Sequence, residues 1–241
     1  LSGGADQGGS RAAGKLRRVS ESLLSAISGS VNYLAHFHLA QQLASRCGLD
    51  ERDAMQQGLL IGGLLGDFVK GPLRGNYPAT WEVGIRLHRR IDALTDSHTL
   101  VSECLDKLPA DYRRYGGIML DVCFDHCLSL RWDQHHSTSL NSFTQGCYQQ
   151  ILPDKDHYPT AARRQIGFLA EYDVLTKMAD WDNIEAMLGR IAKRVPRENP
   201  LSHCGAELAR LLPFIDQQFL GLYPALQDQL FDEFNASLGL E

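Results

Sequence analysis

From Val31 onward the apolar residues of this chain recur at three- and four-residue spacing, and the alternation that marks strands is nearly absent. That period buries one face of a helix, so the chain is expected to be all-α. Breaks fall at Gly71-Pro72 to Pro78, around Pro109, at Pro153 to Pro159, at Pro196 to Pro200, and at Pro213 and Pro224. They mark loops or helix starts and leave room for about seven or eight helices. With no internal repeat or low-complexity tract, a single helical bundle over residues 31–235 is expected. Residues 1–30 are rich in Gly, Ser, Ala and Arg and read as an N-terminal extension or leader, where Glu21 interrupts what would be the apolar region of a signal peptide. Leu240-Glu241 reads as a similar appendage.

A formal net charge of −5 makes nucleic acid a poor partner. A local basic patch can still meet an acidic protein, because screening confines charge effects to about 10 Å. No apolar stretch reaches the ~20 residues that span a bilayer; the longest, Leu59 to Leu65, holds two glycines. Cys47, Cys104, Cys123, Cys127, Cys147 and Cys204 form no CxxC pair and read as reduced thiols of a cytoplasmic protein. Cys123 and Cys127 share a helix face, where small buried side chains explain them better than a metal pair.

Four segments place polar residues where a core is expected. The run Asn32 to Ala40 is mostly apolar yet carries His36 and His38, one of which is expected to face inward. In Leu64-Leu65-Gly66-Asp67-Phe68-Val69-Lys70-Gly71 an aspartate follows an apolar run and precedes two more apolar residues. A buried carboxylate there requires a cation, strong donors or a metal, unless it caps a helix. His88, Asp92 and Asp96 are four apart and share a narrow helical arc beside the stripe Val83, Leu87, Ile91 and Leu94, with Arg89 and Arg90 projecting elsewhere. In Ile118 to Leu128, Asp121 and Asp125 share one face next to His126. Two close carboxylates in an apolar setting must share a proton or bind a cation, with Arg89 or Arg90 as the structural alternative. His135-His136 sits in a Gln/Ser/Thr-rich stretch and reads as a surface loop.

Histidine and aspartate thus dominate the ligand candidates, which favours a hard divalent cation, Mg²⁺ or Mn²⁺, over structural zinc. Such an ion, with Lys70, Arg89 and Arg90 near phosphate, suits phosphodiester hydrolysis.

The phrases Asn32-Tyr33-Leu34-Ala35-His36-Phe37-His38-Leu39-Ala40, Gly66-Asp67-Phe68-Val69-Lys70-Gly71, His88-Arg89-Arg90-Ile91-Asp92-Ala93-Leu94-Thr95-Asp96 and Leu120-Asp121-Val122-Cys123-Phe124-Asp125-His126 occur in this order. In them the chain resembles the bacterial acyl carrier protein phosphodiesterase family, a divergent relative of HD-type metal phosphohydrolases, from Val31 to about Leu230. The resemblance implies an HD-like helical fold and a Mn²⁺- or Mg²⁺-dependent enzyme that acts on holo-acyl carrier protein and releases 4′-phosphopantetheine. It makes Asp67 essential. His36, Asp67, His88, Asp121, Asp125 and His126 become candidate metal ligands, and Asp67, His88, Arg89, Arg90 and Asp92 candidate catalytic residues. Recognition of an acidic carrier would use a basic surface drawn from Arg74, Arg86, Arg113, Arg114, Arg163 and Arg164.

The chain also departs from the pattern. The HD doublet reads His-Asp, whereas the obvious doublet here is Asp125-His126, and the stretch Gln41 to Gly58 is longer than the family's usual connection. Two alternatives stay open: an HD-type nucleotide phosphohydrolase, and a non-catalytic helical module that binds the carrier protein.

Overall fold

The computed structural model describes residues 32–50 and 53–238. The expected extension 1–30 and Leu240-Glu241 lie outside the described residues. Among the described residues there is no strand, in line with the all-α expectation. Eleven α-helices follow one another: α1 Tyr33–Arg46, α2 Ala54–Leu65, α3 Ala79–Ser97, α4 Thr99–Lys107, α5 Ala110–Arg113, α6 Gly116–Leu130, α7 Trp132–His135, α8 Leu140–Ile151, α9 Thr160–Glu171, α10 Trp181–Arg194 and α11 Gly205–Leu238. Three short 3₁₀ turns, Leu152–His157, Thr176–Ala179 and Leu201–His203, join the later ones. The count exceeds seven or eight in part because α5 and α7 are four-residue turns, too short to show an apolar period.

Pro213 and Pro224 do not break helices; α11 runs for 34 residues through both, which corrects the sequence expectation. Each proline removes one N–H from the ladder, at a cost of roughly 3 kcal/mol in a helix interior. The buried stripe Leu208, Leu211, Ile215, Phe219, Leu222, Leu226 and Leu230 continues across both, while the prolines themselves are exposed. Burial of that stripe outweighs the two lost bonds.

The helix α1 is central, with Tyr33 to Ala40 buried without interruption, and α2, α3, α6 and α11 pack around it. Both of its histidines face inward rather than one. Two residues apart on a helix, they point in nearly opposite directions. His38 points toward α11, where its Nδ1 lies 2.6 Å from the Tyr223 hydroxyl, and Trp132, Phe143 and His136 surround its ring. Burial pushes His38 down to about 3, so it is a neutral core group. His135 and His136 are half-buried against this cage, and His136 Nε2 lies 3.0 Å from Gln41 Oε1. They are therefore part of the packing rather than a surface loop.

The tightest packing is between α2 and α3. Gly58, Gly62 and Gly66 are four apart on one face of α2, and they meet Thr80, Gly84 and His88, four apart on α3. A Cβ on Gly62 would fall 2.2 Å from the Gly84 carbonyl carbon, and one on Gly84 would fall 2.4 Å from the Gly58 oxygen. The two backbones touch directly, and the ladder ends on the His88 ring, 2.2 Å from where a Cβ on Gly66 would sit.

Candidate metal centre

α1 carries His36 and α3 carries His88 and Asp92 one turn apart, and the packing of α1 against α3 brings the three together. Their ligand atoms lie within 4.8 Å of one another. Asp92 is shared: Oδ1 is 3.1 Å from His36 Nε2 and Oδ2 is 3.2 Å from His88 Nε2. The two imidazoles stack with centroids 4.0 Å apart. Asp67 stands beside them, its Oδ1 3.5 Å from His88 Nε2. The side chains of His36, His88 and Asp67 are 0%, 1% and 12% exposed, whereas Asp92 is 43% exposed and forms the open side.

His88 shows how the cluster is poised. Its Nδ1 lies 2.9 Å from the Gly63 carbonyl, which can only accept, so Nδ1 carries a proton. The other nitrogen faces two carboxylates. Burial alone would lower the His88 pKa, but Asp92 and then Asp67 outweigh it and hold it at about 10. For Asp92, burial opposes ionisation, yet His88 and His36 hold the carboxyl well below the usual range. His36 is pushed down by burial and by His88, and although Asp92 is close, neither ring nitrogen makes a well-directed hydrogen bond. Buried polar atoms are nearly always paired, so a fully buried imidazole with only Asp92 beside its nitrogens is a candidate cation ligand.

In the metal-free protein the His88 proton is bound more tightly in the folded state. Its contribution to stability is complete below about pH 6.5 and is lost as pH rises through about 10. Urea titrations of metal-free protein at stepped pH should show this fall. A profile flat across that window contradicts a charged His88 in the free site.

Asp67 follows α2 directly, beyond Gly66, and the amides of Phe68 and Val69 both return to the Leu65 carbonyl. A carboxylate at a helix C-terminus opposes the dipole, so an N-capping role does not explain it. Among the described residues neither its buried Oδ2 nor the Tyr33 hydroxyl makes a well-directed hydrogen bond. Burial and then Asp67 push the Tyr33 hydroxyl well above its ordinary pKa. The chain after Asp67 is tied back by Arg89, which donates to the carbonyls of Val69 (2.6 Å) and Gly71 (2.9 Å). Gly71 takes φ 78°, a left-handed turn that suits glycine.

The remaining predicted residues do not all converge. Asp125 caps α1: its Oδ2 and Oδ1 accept the amides of Leu34 (2.9 Å) and Ala35 (2.8 Å), replacing the cap that the Asn32 side chain does not make. Burial still raises its carboxyl to about 8. His126 turns away, its Nδ1 2.7 Å from the Met178 carbonyl and its ring edge-on to Trp181. Asp121 accepts from Asn32 Nδ2 at 3.3 Å, and burial, then Asp92 and Asp96, raise its pKa. Arg90 pairs with Glu233 and Arg89 is occupied by the loop, whereas Lys70 is exposed with no carboxylate partner among the described residues. Cys123 and Cys127 are buried thiols, raised by burial. Sequence reasoning missed Tyr33, Asn32 and the glycine ladder, although all three lay inside segments whose apolar character hid them.

The family profile described as acyl carrier protein phosphodiesterase matches residues 31–226. A protein of Photorhabdus laumondii named acyl carrier protein phosphodiesterase is 34% identical over 83% of this chain and 94% of its own length. Proteins of the same name from Yersinia pestis and Escherichia coli O45:K1 are 34% and 32% identical, each over 83% of this chain and 97% of their own. No solved structure matches the chain.

Proposed function

This chain belongs to the acyl carrier protein phosphodiesterase family, and we propose that it hydrolyses the phosphodiester joining 4′-phosphopantetheine to holo-acyl carrier protein, giving apo-protein and 4′-phosphopantetheine. The observation that carries this reading is the convergence of His36, His88 and Asp92, with Asp67 alongside, at one buried point open to solvent through Asp92. Four residues of the motif phrases, His36, Asp67, His88 and Asp92, meet there.

We infer a divalent cation held by His36, His88 and Asp92, with Asp67 adjoining. The fit rests on the buried nitrogens of His36 and the buried Asp67 Oδ2, none of which makes a well-directed hydrogen bond among the described residues. Two imidazoles beside two carboxylates suit Mn²⁺ better than Mg²⁺, which prefers all-oxygen surroundings. When bound, such an ion polarises a phosphoryl oxygen and lowers the pKa of water.

The other groups have separate tasks. Asp67 Oδ2, a buried acceptor, takes the proton from the water that attacks phosphorus. Tyr33 keeps its hydroxyl proton and offers it to a phosphoryl oxygen. Lys70, exposed three residues after Asp67, attracts the negatively charged phosphodiester. The water oxygen bonds to phosphorus, the serine oxygen of the carrier leaves with a proton, and a phosphomonoester results.

We place the reaction in the cytoplasm. Six free cysteines are in keeping with a reducing compartment, and no helix among the described residues is long and apolar enough to cross a membrane.

Purified holo-acyl carrier protein incubated with the full chain and Mn²⁺ should lose the mass of phosphopantetheine in an intact-mass measurement, and should keep it when the metal is chelated. An unchanged mass with Mn²⁺ present rules the reading out.

A further inference from the structure

The helix α10 runs antiparallel to α6. Trp181 at its start lies edge-on to His126, 5.2 Å between centroids, while beyond its end the Glu198 carbonyl accepts the Tyr115 hydroxyl at 3.5 Å. The C-terminal turn of α10 therefore arrives beside the half of α6 that presents Asp121 to the cluster. Its buried stripe is Ile184, Met187, Leu188 and Ile191. Flanking it, Arg190, Lys193 and Arg194 fall within an arc of about 100°, and Arg197 follows just beyond the helix.

All four cations are exposed, and among the described residues none has a carboxylate partner. Arginines elsewhere on the surface do: Arg46 with Asp228, Arg90 with Glu233 and Arg131 with Asp216. An acidic protein that leaves four neighbouring cations unneutralised concentrates positive potential at one place.

We propose that Arg190, Lys193, Arg194 and Arg197 form the docking surface for an acidic protein face that carries the scissile diester. This rests on the proposed reaction. It replaces the dispersed arginines expected from sequence, of which Arg86 and Arg163 already face Glu82 and Asp156, and Arg113 donates to the Leu108 carbonyl. Exposed cations on an acidic protein steer an anionic partner and make its association sensitive to salt. Cations in a last turn also suit the helix dipole, a role that predicts lost stability and unchanged binding.

The test has two arms on the full chain. In the first, binding of purified holo-acyl carrier protein is measured without added metal at several salt concentrations, for the native chain and for the double variant Lys193→Glu/Arg197→Glu. The native chain should bind more weakly as salt rises; the variant should bind at least about tenfold more weakly with a flatter salt dependence, and with its melting temperature unchanged. In the second, hydrolysis is followed with Mn²⁺ on holo-carrier and on bis(p-nitrophenyl) phosphate. The double variant should raise KM for the carrier alone. Unchanged carrier binding in the double variant overturns the docking surface. Docking that follows these expectations without release of phosphopantetheine would refute the reaction and leave the surface standing.

Discussion

Asp92→Ala should abolish release of phosphopantetheine, lowering turnover by about a thousandfold or more, equivalent to roughly 4 kcal/mol in the barrier. Asp92 is the one residue that touches both imidazoles, and without it the buried cluster keeps two neutral donors and a more distant Asp67. Divalent metal affinity, followed by calorimetry, should fall with activity. The fold should survive, because Asp92 is 43% exposed and lies on the open side of the cluster, while the buried rings of His36 and His88 keep their stacking. Asp67→Ala should also lose activity, but with more metal binding retained, since Asp67 approaches the cluster at His88 only to 3.5 Å, farther than Asp92. Near-native turnover in Asp92→Ala would remove the cluster from the reaction.

The second large effect is on stability. Gly84→Val places branched carbons where the Gly58 oxygen and the α-carbons of Gly62 and Leu59 already stand, 2.4 to 2.9 Å from the Cβ position. Overpacking costs about 1–3 kcal/mol when side chains can shift. Here the obstacles are backbone atoms, which have no alternative rotamer, so α2 and α3 must separate and uncover Leu59, Leu60 and Ile85, all fully buried. A loss of at least about 3 kcal/mol is expected, a large part of the stability of a domain this size. Chemical denaturation measures it directly. Gly117→Ala, at a position where a Cβ meets nothing within 4 Å, provides the contrast and should be near neutral.

The helical class was legible because an apolar period is local. So was the pairing of His88 with Asp92, which needs only the pitch of one helix. The burial of Asp67 was readable from its apolar neighbours. What lay beyond reach was the identity of each partner across space. Asp121 and Asp125 share a face as the period requires, yet Asp125 meets the N-terminus of a helix 90 residues away in sequence. No pattern within Ile118 to Leu128 could distinguish that cap from a metal ligand, since both satisfy a buried carboxylate. Proline misled for a related reason. Its local cost is fixed, whereas the packing that offsets it at Pro213 and Pro224 comes from α4, α6 and α1. The glycines of α2 looked like interruptions of an apolar run, and only the facing Gly84 gives them a purpose.

The ladder of Gly58, Gly62 and Gly66 against Thr80, Gly84 and His88 acts as a gauge block for the chemistry. Its rungs repeat once per helical turn, so α2 cannot slip along α3 by less than a full turn without a collision, and the last rung is His88, a proposed ligand. The His88 ring is set against main chain on one side and hydrogen-bonded to main chain through Gly63 on the other. Tolerance at the centre is therefore inherited from the stiffest part of the molecule rather than from a shell of adjustable side chains. The surface outside α2 and α3 can drift in sequence while the spacing of the reacting groups stays calibrated.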